Sequence, residues 1–276
     1  MDKLNALLTP VGDVLLAPFR NYPATGLVFW SVVTGIIMTY VFGKTSNQRA
    51  LRRAADNIRA QLLAVKLFKD DLVVTFHCQV KLLRATAMRL LHSVPPMLVM
   101  IVPLMFVLTQ LAMRYEFRPL IKDEQAVVAM HIRPDAWKAS RDMSLDSGDG
   151  FVVETESLRD EKSSTIYWRV RADGDQSKLL KFKIGDQVIS KELPMSGTSS
   201  VLQVSNPKRA GVSALDQLLY PAELSLSADS PIESIDIQLT PRENLILGWR
   251  VPWWATFFIV SMFVAFVTGK FMGVQY

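Results

Sequence analysis

The stretch PPMLVMIVPLMFVLTQLAM at residues 95–113 has no charged side chain between Arg89 and Arg114. At 1.5 Å per helical residue, a run of about 19 residues crosses a hydrocarbon layer of about 30 Å. Two further runs have the same character. Residues 25–43 (TGLVFWSVVTGIIMTYVFG) are free of charge between Arg20 and Lys44, and residues 251–269 (VPWWATFFIVSMFVAFVTG) between Arg250 and Lys270. One such run could be a buried helix of a soluble protein. Three of them, each flanked by Arg or Lys, account for a chain that is 50% apolar with a mean hydropathy of +0.20. The reading is a multi-pass helical membrane protein with three spans, at 25–43, 95–114 and 251–270.

The connectors set the orientation. Residues 44–94 hold Lys44, Arg49, Arg52, Arg53, Arg59, Lys66, Lys69, Lys81, Arg84 and Arg89 against only Asp56, Asp70 and Asp71. Positive flanks stay on the cytoplasmic side. The N-terminus and the segment 120–247 are therefore expected outside, and the tail 271–276 inside, in a plasma (inner) membrane. Residues 1–22 place Leu4, Leu7, Leu8, Val11, Leu15 and Phe19 near helical spacing, as in a short helix lying in the outer interface.

Within 44–94, Leu51, Ala55, Ile58, Leu62 and Val65 step by four and three. Leu72, Phe76, Gln79 or Val80, Leu83, Ala87 and Leu90 do the same after Lys69. This is heptad spacing on two consecutive helices, an antiparallel hairpin with Asp70 or Asp71 capping the second. Its basic face, with Arg52, Arg53, Arg59, Lys66, Lys69, Lys81 and Arg84, suits lipid headgroups or an acidic client. Nucleic acid is not expected, because these cations sit on helices that carry an apolar stripe. Pro95-Pro96 opens the next span, and Pro103 removes a backbone bond within it.

Residues 120–247 change period. Alternating stretches at 125–132, 150–158, 164–172, 178–184, 187–193, 201–205, 223–228 and 234–240 are separated by Gly, Asp, Asn and Pro, including Gly185-Asp186. Many short strands at this spacing read as an extracytoplasmic all-β sandwich, immunoglobulin-like in plan. Trp168, with Ile166 and Val170, reads as the core side of a strand. The single cysteine, Cys78, excludes an internal disulfide, and His77, His92 and His131 lack metal-ligand spacing. No nucleophile elbow or phosphate loop occurs, and Asp216, Glu223 and Asp229 read as scattered surface charges. No enzyme, cofactor or metal is expected.

The order of interfacial helix, span, basic hairpin, proline-led span and last span resembles the YidC/Oxa/Get/EMC membrane-protein insertase superfamily. Pro96 and Pro103 stand where that family's span after the hairpin has its prolines. Gly248-Trp249, Lys270, Met272 and Gly273 are similar to the start and end of its last span. The resemblance covers residues 1–118 and 245–276, and the β-rich segment is an insertion. It implies an insertase or membrane chaperone, with a polar groove lined here by Ser31, Thr34, Thr109, Gln110, Thr256 and Ser261. No arginine lies within the first span, as it does in bacterial members. Expected partners are membrane lipids and client membrane proteins, and a hetero-oligomer fits the same reading. The alternative is an accessory subunit whose outside β-domain binds a partner protein.

Overall fold

The computed structural model describes residues 10–67, 72–184, 187–246 and 248–274. Leu4, Leu7, Leu8, Lys69, the two capping candidates Asp70 and Asp71, and the turn Gly185-Asp186 lie outside them. The chain contains both helices and antiparallel sheets. It divides into two compact units, Leu27–Phe106 with Trp254–Tyr276, and Met1–Gly26 with Val107–Trp253.

The first unit is helical. Helix α2 (Pro23–Thr45), α4 (Leu72–Tyr115, counted from Thr75) and α6 (Trp253–Met272) are each long and apolar enough to cross a membrane. Between the first two of these runs α3 (Gln48–Leu67). Ser46 ends α2, its hydroxyl donating to the Phe42 carbonyl, and Asn47 Oδ1 accepts from the Ala50 amide at the start of α3. That is the capping role its side chain suits.

Two features differ from the periodicity. Helix α4 is continuous for 44 residues, about 66 Å at helical rise, and carries Pro95, Pro96 and Pro103 inside it instead of restarting at Pro95. The carbonyls of Leu91, His92 and Val99 thereby lose their usual amide donors. The second difference is the phase of the hairpin seam. On α3, Leu51 and Ala55 are buried as expected, together with Ala54. On α4 the less exposed positions are Cys78, Leu82, Ala85, Arg89 and His92, whereas Phe76, Val80, Leu83 and Leu90 are exposed. The doublets Leu82-Leu83 and Leu90-Leu91 supply two overlapping heptad stripes, and one-dimensional spacing cannot choose between them.

The second unit begins with α1 (Pro10–Phe19), whose last turn is a 3-10 turn. It is otherwise β-rich. Strands β1 (Gln125–Ile132), β2 (Ser144–Leu145), β3 (Phe151–Val153), β4 (Leu158–Asp160), β5 (Thr165–Ala172), β6 (Gln176–Ile184), β7 (Gln187–Ser196), β8 (Lys208–Arg209) and β9 (Ile232–Ile237) are joined by turns and irregular segments, a 3-10 helix at Pro134–Asp142 and the short helix α5 (Ala214–Leu219). One sheet has the order β3-β5-β1-β9-β8, with β4 also on β5, and the other β2-β6-β7. All these pairs are antiparallel. A hairpin of β10 (Leu245–Ile246) and β11 (Trp249–Arg250) follows.

Period-2 alternation explains the central strands. In β1, Ala126, Val128, Met130 and Ile132 are buried, and Val128 pairs with Trp168 of β5. Trp168 meets Phe182 of the other sheet at 5.4 Å between ring centroids, so both sheets feed one core. Each fully buried aliphatic or aromatic side chain contributes about 1.5–3 kcal/mol there. The stretches 201–205 and 223–228 are not strands. Their amides bond elsewhere, Leu202 to the Arg20 carbonyl, Ser205 to Met113 and Leu226 to Ala210. Backbone satisfaction without a ladder is enough to keep them irregular.

Candidate functional site

In the helical unit, α2 and α6 meet closely because Gly35 has no side chain. A Cβ at Gly35 would stand 2.7 Å from the Ser261 carbonyl oxygen and 3.1 Å from Val264 Cβ. One turn along, the hydroxyls of Thr39 and Thr268 lie 3.2 Å apart. Small residues that admit close backbone approach, with a hydroxyl pair beside them, are the usual means of holding apolar helices together. Arg52 Nη2 donates to the Gly273 carbonyl at 3.0 Å and ties the start of α3 to the end of α6.

The six groove candidates fall in both units. Ser31, Thr34 and Thr256 are buried and Ser261 is half-buried in the helical unit. The Ser31 hydroxyl donates to its own helix at Leu27 (2.7 Å), and that of Ser261 to Phe258 (3.3 Å). Thr109, buried, and Gln110, half-buried, belong to the β-rich unit. There Gln110 joins a cluster that the spacing did not show. Arg114 is 2% exposed. Its Nη1 donates to the Gln110 Oε1 at 3.1 Å, and its Nη2 meets Asp13 Oδ1 of α1 at 2.5 Å. Gly12 permits the approach, since a Cβ there would lie 2.5 Å from Gln110 Oε1. The i, i+4 relation of Gln110 and Arg114 was a legible signal, but Asp13 is 101 residues away and gave none. Tyr115, also buried, donates to the Pro23 carbonyl at 2.9 Å.

Just beyond this cluster Arg118 grips Glu124 with two bonds of 2.7 and 2.8 Å, and the Ile121 amide and Thr240 hydroxyl add to them. Burial alone would raise the Glu124 carboxyl. Those hydrogen bonds and the Arg118 charge outweigh it and hold the group below the ordinary glutamate range. A depressed folded-state pKa contributes stability that is present above the unfolded value and lost as pH falls through the folded one. Acid unfolding of Glu124→Gln should therefore be shallower than that of the parent below about pH 4, with a neutral-pH loss on the order of 1 kcal/mol. Equal acid slopes for the two proteins would contradict this account.

Glu223 is corrected by the structure. It is not a surface charge but is 13% exposed, ion-paired with the fully buried Lys191. Lys191 sits at an inward position of β7, in phase with Leu193 and Met195. A charge within an apolar alternation was the available sign.

On the hairpin, Arg52, Arg53, Arg59, Lys66, Lys81 and Arg84 are all exposed. Arg59 pairs with Asp56 at 3.4 Å. Arg53, Lys81 and Arg84 border one cavity between α3 and α4. Comparison with known proteins gives no match, whether to a family model, a curated protein or a solved structure.

Proposed function

We propose that the chain is a small YidC/Oxa-type membrane-protein insertase or chaperone, with an immunoglobulin-like β-sandwich inserted before its last span. In this reading α2, α4 and α6 cross the plasma membrane, the α3–α4 hairpin lies in the cytosol with the C-terminus, and the N-terminus and β-rich unit lie outside. One observation supports it most. The three apolar helices and the basic helical pair cluster as one compact unit, Leu27–Phe106 with Trp254–Tyr276, although the whole β-rich segment interrupts them in sequence. That unit holds Pro96, Pro103, Lys270, Met272 and Gly273 of the residues carrying the resemblance, whereas Gly248-Trp249 belong to the β-rich unit.

The physical task of such a scaffold is to reduce the cost of moving a client's polar flank through hydrocarbon. The cost is about 2.5–3.5 kcal/mol for one charge and several for unsatisfied backbone. Hydroxyls on the apolar helices, Thr34 and Ser261 among them, supply polar partners. Exposed Met97 and Met262 supply an adaptable apolar surface. No covalent step is involved.

Photocrosslinkers at Thr34, Thr109 and Ser261 test the proposal in cells. Many short-lived adducts to newly made membrane proteins are expected. A single constant adduct would instead mark the accessory-subunit reading, which the exposed Val212, Leu215 and Leu224 around α5 favour as a partner-binding face.

A further inference from the structure

The seam between α3 and α4 is unusual for a helical pair. Facing helices normally meet through large apolar side chains. Here the facing positions include the small residues Ala50, Ala54 and Ala85, and a cavity of about 490 Å³ remains between the helices. Arg53 of α3 and Lys81 and Arg84 of α4, all three exposed, border it together with Asn57, Gln61 and His92. Among the described residues no carboxylate lies within 4 Å of Arg53, Lys81 or Arg84, and none lines the cavity. Three cations around one space repel each other. An occupant with several acceptor oxygens and negative charge would turn that repulsion into attraction.

We propose that this seam is a binding site for a phosphate-type oxyanion, with Arg53, Lys81 and Arg84 as its charged ligands and Asn57 and Gln61 as neutral donors. Guanidinium groups match phosphate oxygens in a planar, two-pronged geometry, and the ammonium acts as a point charge. Net-neutral or cationic occupants are disfavoured by a wall that carries no negative group. The phosphate could belong to an anionic lipid headgroup or to a soluble molecule. Arg53 lies in the second turn of α3, eight residues after Thr45, the last residue of α2, so the cytosolic headgroup layer is within reach. Only this lipid source rests on the topology proposed above, since free phosphate would bind whichever side the hairpin faces.

The test uses hydrogen exchange of the backbone amides in residues 50–61 and 81–92, with the full chain in phosphatidylcholine nanodiscs. Three additions are compared at equal ionic strength: phosphatidylglycerol in the disc, inorganic phosphate, and chloride. Slowing of about tenfold is expected at roughly ten times the dissociation constant. Slowing by phosphatidylglycerol alone assigns the site to lipid, and slowing by inorganic phosphate assigns it to a free anion. The triple variant Arg53→Gln/Lys81→Gln/Arg84→Gln should not respond, and Arg84→Gln alone should respond more weakly. Unchanged exchange in α2 and α6 confirms that the variants fold. Equal slowing by chloride, no slowing by either phosphate source, or a wild-type response from the triple variant overturns the site. None of these outcomes depends on the nascent-chain adducts that test the insertase reading.

Discussion

Gly35→Leu is expected to separate α2 from α6 and to cost the helical unit more than any other single change between these two helices. The atom that a Cβ would meet at 2.7 Å is the main-chain carbonyl oxygen of Ser261, which cannot move aside without its helix. Val264 blocks the flanking direction at 3.1 Å. Overpacking of this kind costs about 1–3 kcal/mol. Loss of the Thr39–Thr268 contact adds about 0.6 kcal/mol, the average for side-chain hydrogen bonds between membrane helices. A Thr39→Cys/Thr268→Cys pair gives the measurement. It should oxidise readily to a cross-link in the parent and fail to do so with Gly35→Leu. Gly43→Ala is the control, because its nearest obstacle is the movable Val274 Cγ2 at 2.9 Å, and cross-linking should persist there. Cross-linking retained in Gly35→Leu would show that the two helices do not rely on this contact.

Glu223→Ala should be the most damaging substitution in the β-rich unit, at about 3–5 kcal/mol, the usual loss when one member of a buried ion pair is removed. Lys191 is fully buried. Besides Glu223, its ammonium donates to the carbonyls of Asn206 at 2.9 Å and Glu192 at 3.2 Å. Those dipoles do not neutralise it. Desolvation by burial already pulls the Lys191 pKa below the ordinary lysine value, against the attraction of Glu223. With the carboxylate gone the shift deepens, so the folded variant holds fewer protons than the unfolded one over a wider alkaline range. Stability of Glu223→Ala should accordingly recover as pH rises toward the ordinary lysine pKa. The double variant Lys191→Met/Glu223→Leu removes both charges and should lie near the parent or above it, as apolar replacements of buried pairs often do. Denaturant unfolding of the three proteins at pH 7 and pH 9.5 decides the matter. If the double variant is as unstable as Glu223→Ala, the loss comes from packing and not from an uncompensated charge.

These two sites mark where a reading along one dimension stops. Lys191 stands in the alternating stretch 187–193, but its partner Glu223 lies 32 positions away on an irregular segment. Gly35 stands in the apolar run 25–43. Nothing in that run says that Ser261, far along the chain, is what it makes room for. Arg114 shows the same limit. It was legible as the end of a charge-free stretch, whereas its burial against Asp13 depends on α1 returning to that place.

What the sequence by itself determined are the properties that repeat along one dimension. Three apolar runs of membrane-crossing length, a basic connector and the period-2 strands at 125–132, 164–172 and 178–184 follow from the spacing of side chains on a single element. The tertiary structure alone decided which of two overlapping stripes on α4 turns toward α3, and that residues 201–205 bond to Arg20 and Met113 instead of entering a sheet. It also decided which distant charges are buried together. Each of these depends on pairings between segments remote in sequence, where the free energy comes from the match of two surfaces and neither surface encodes it alone.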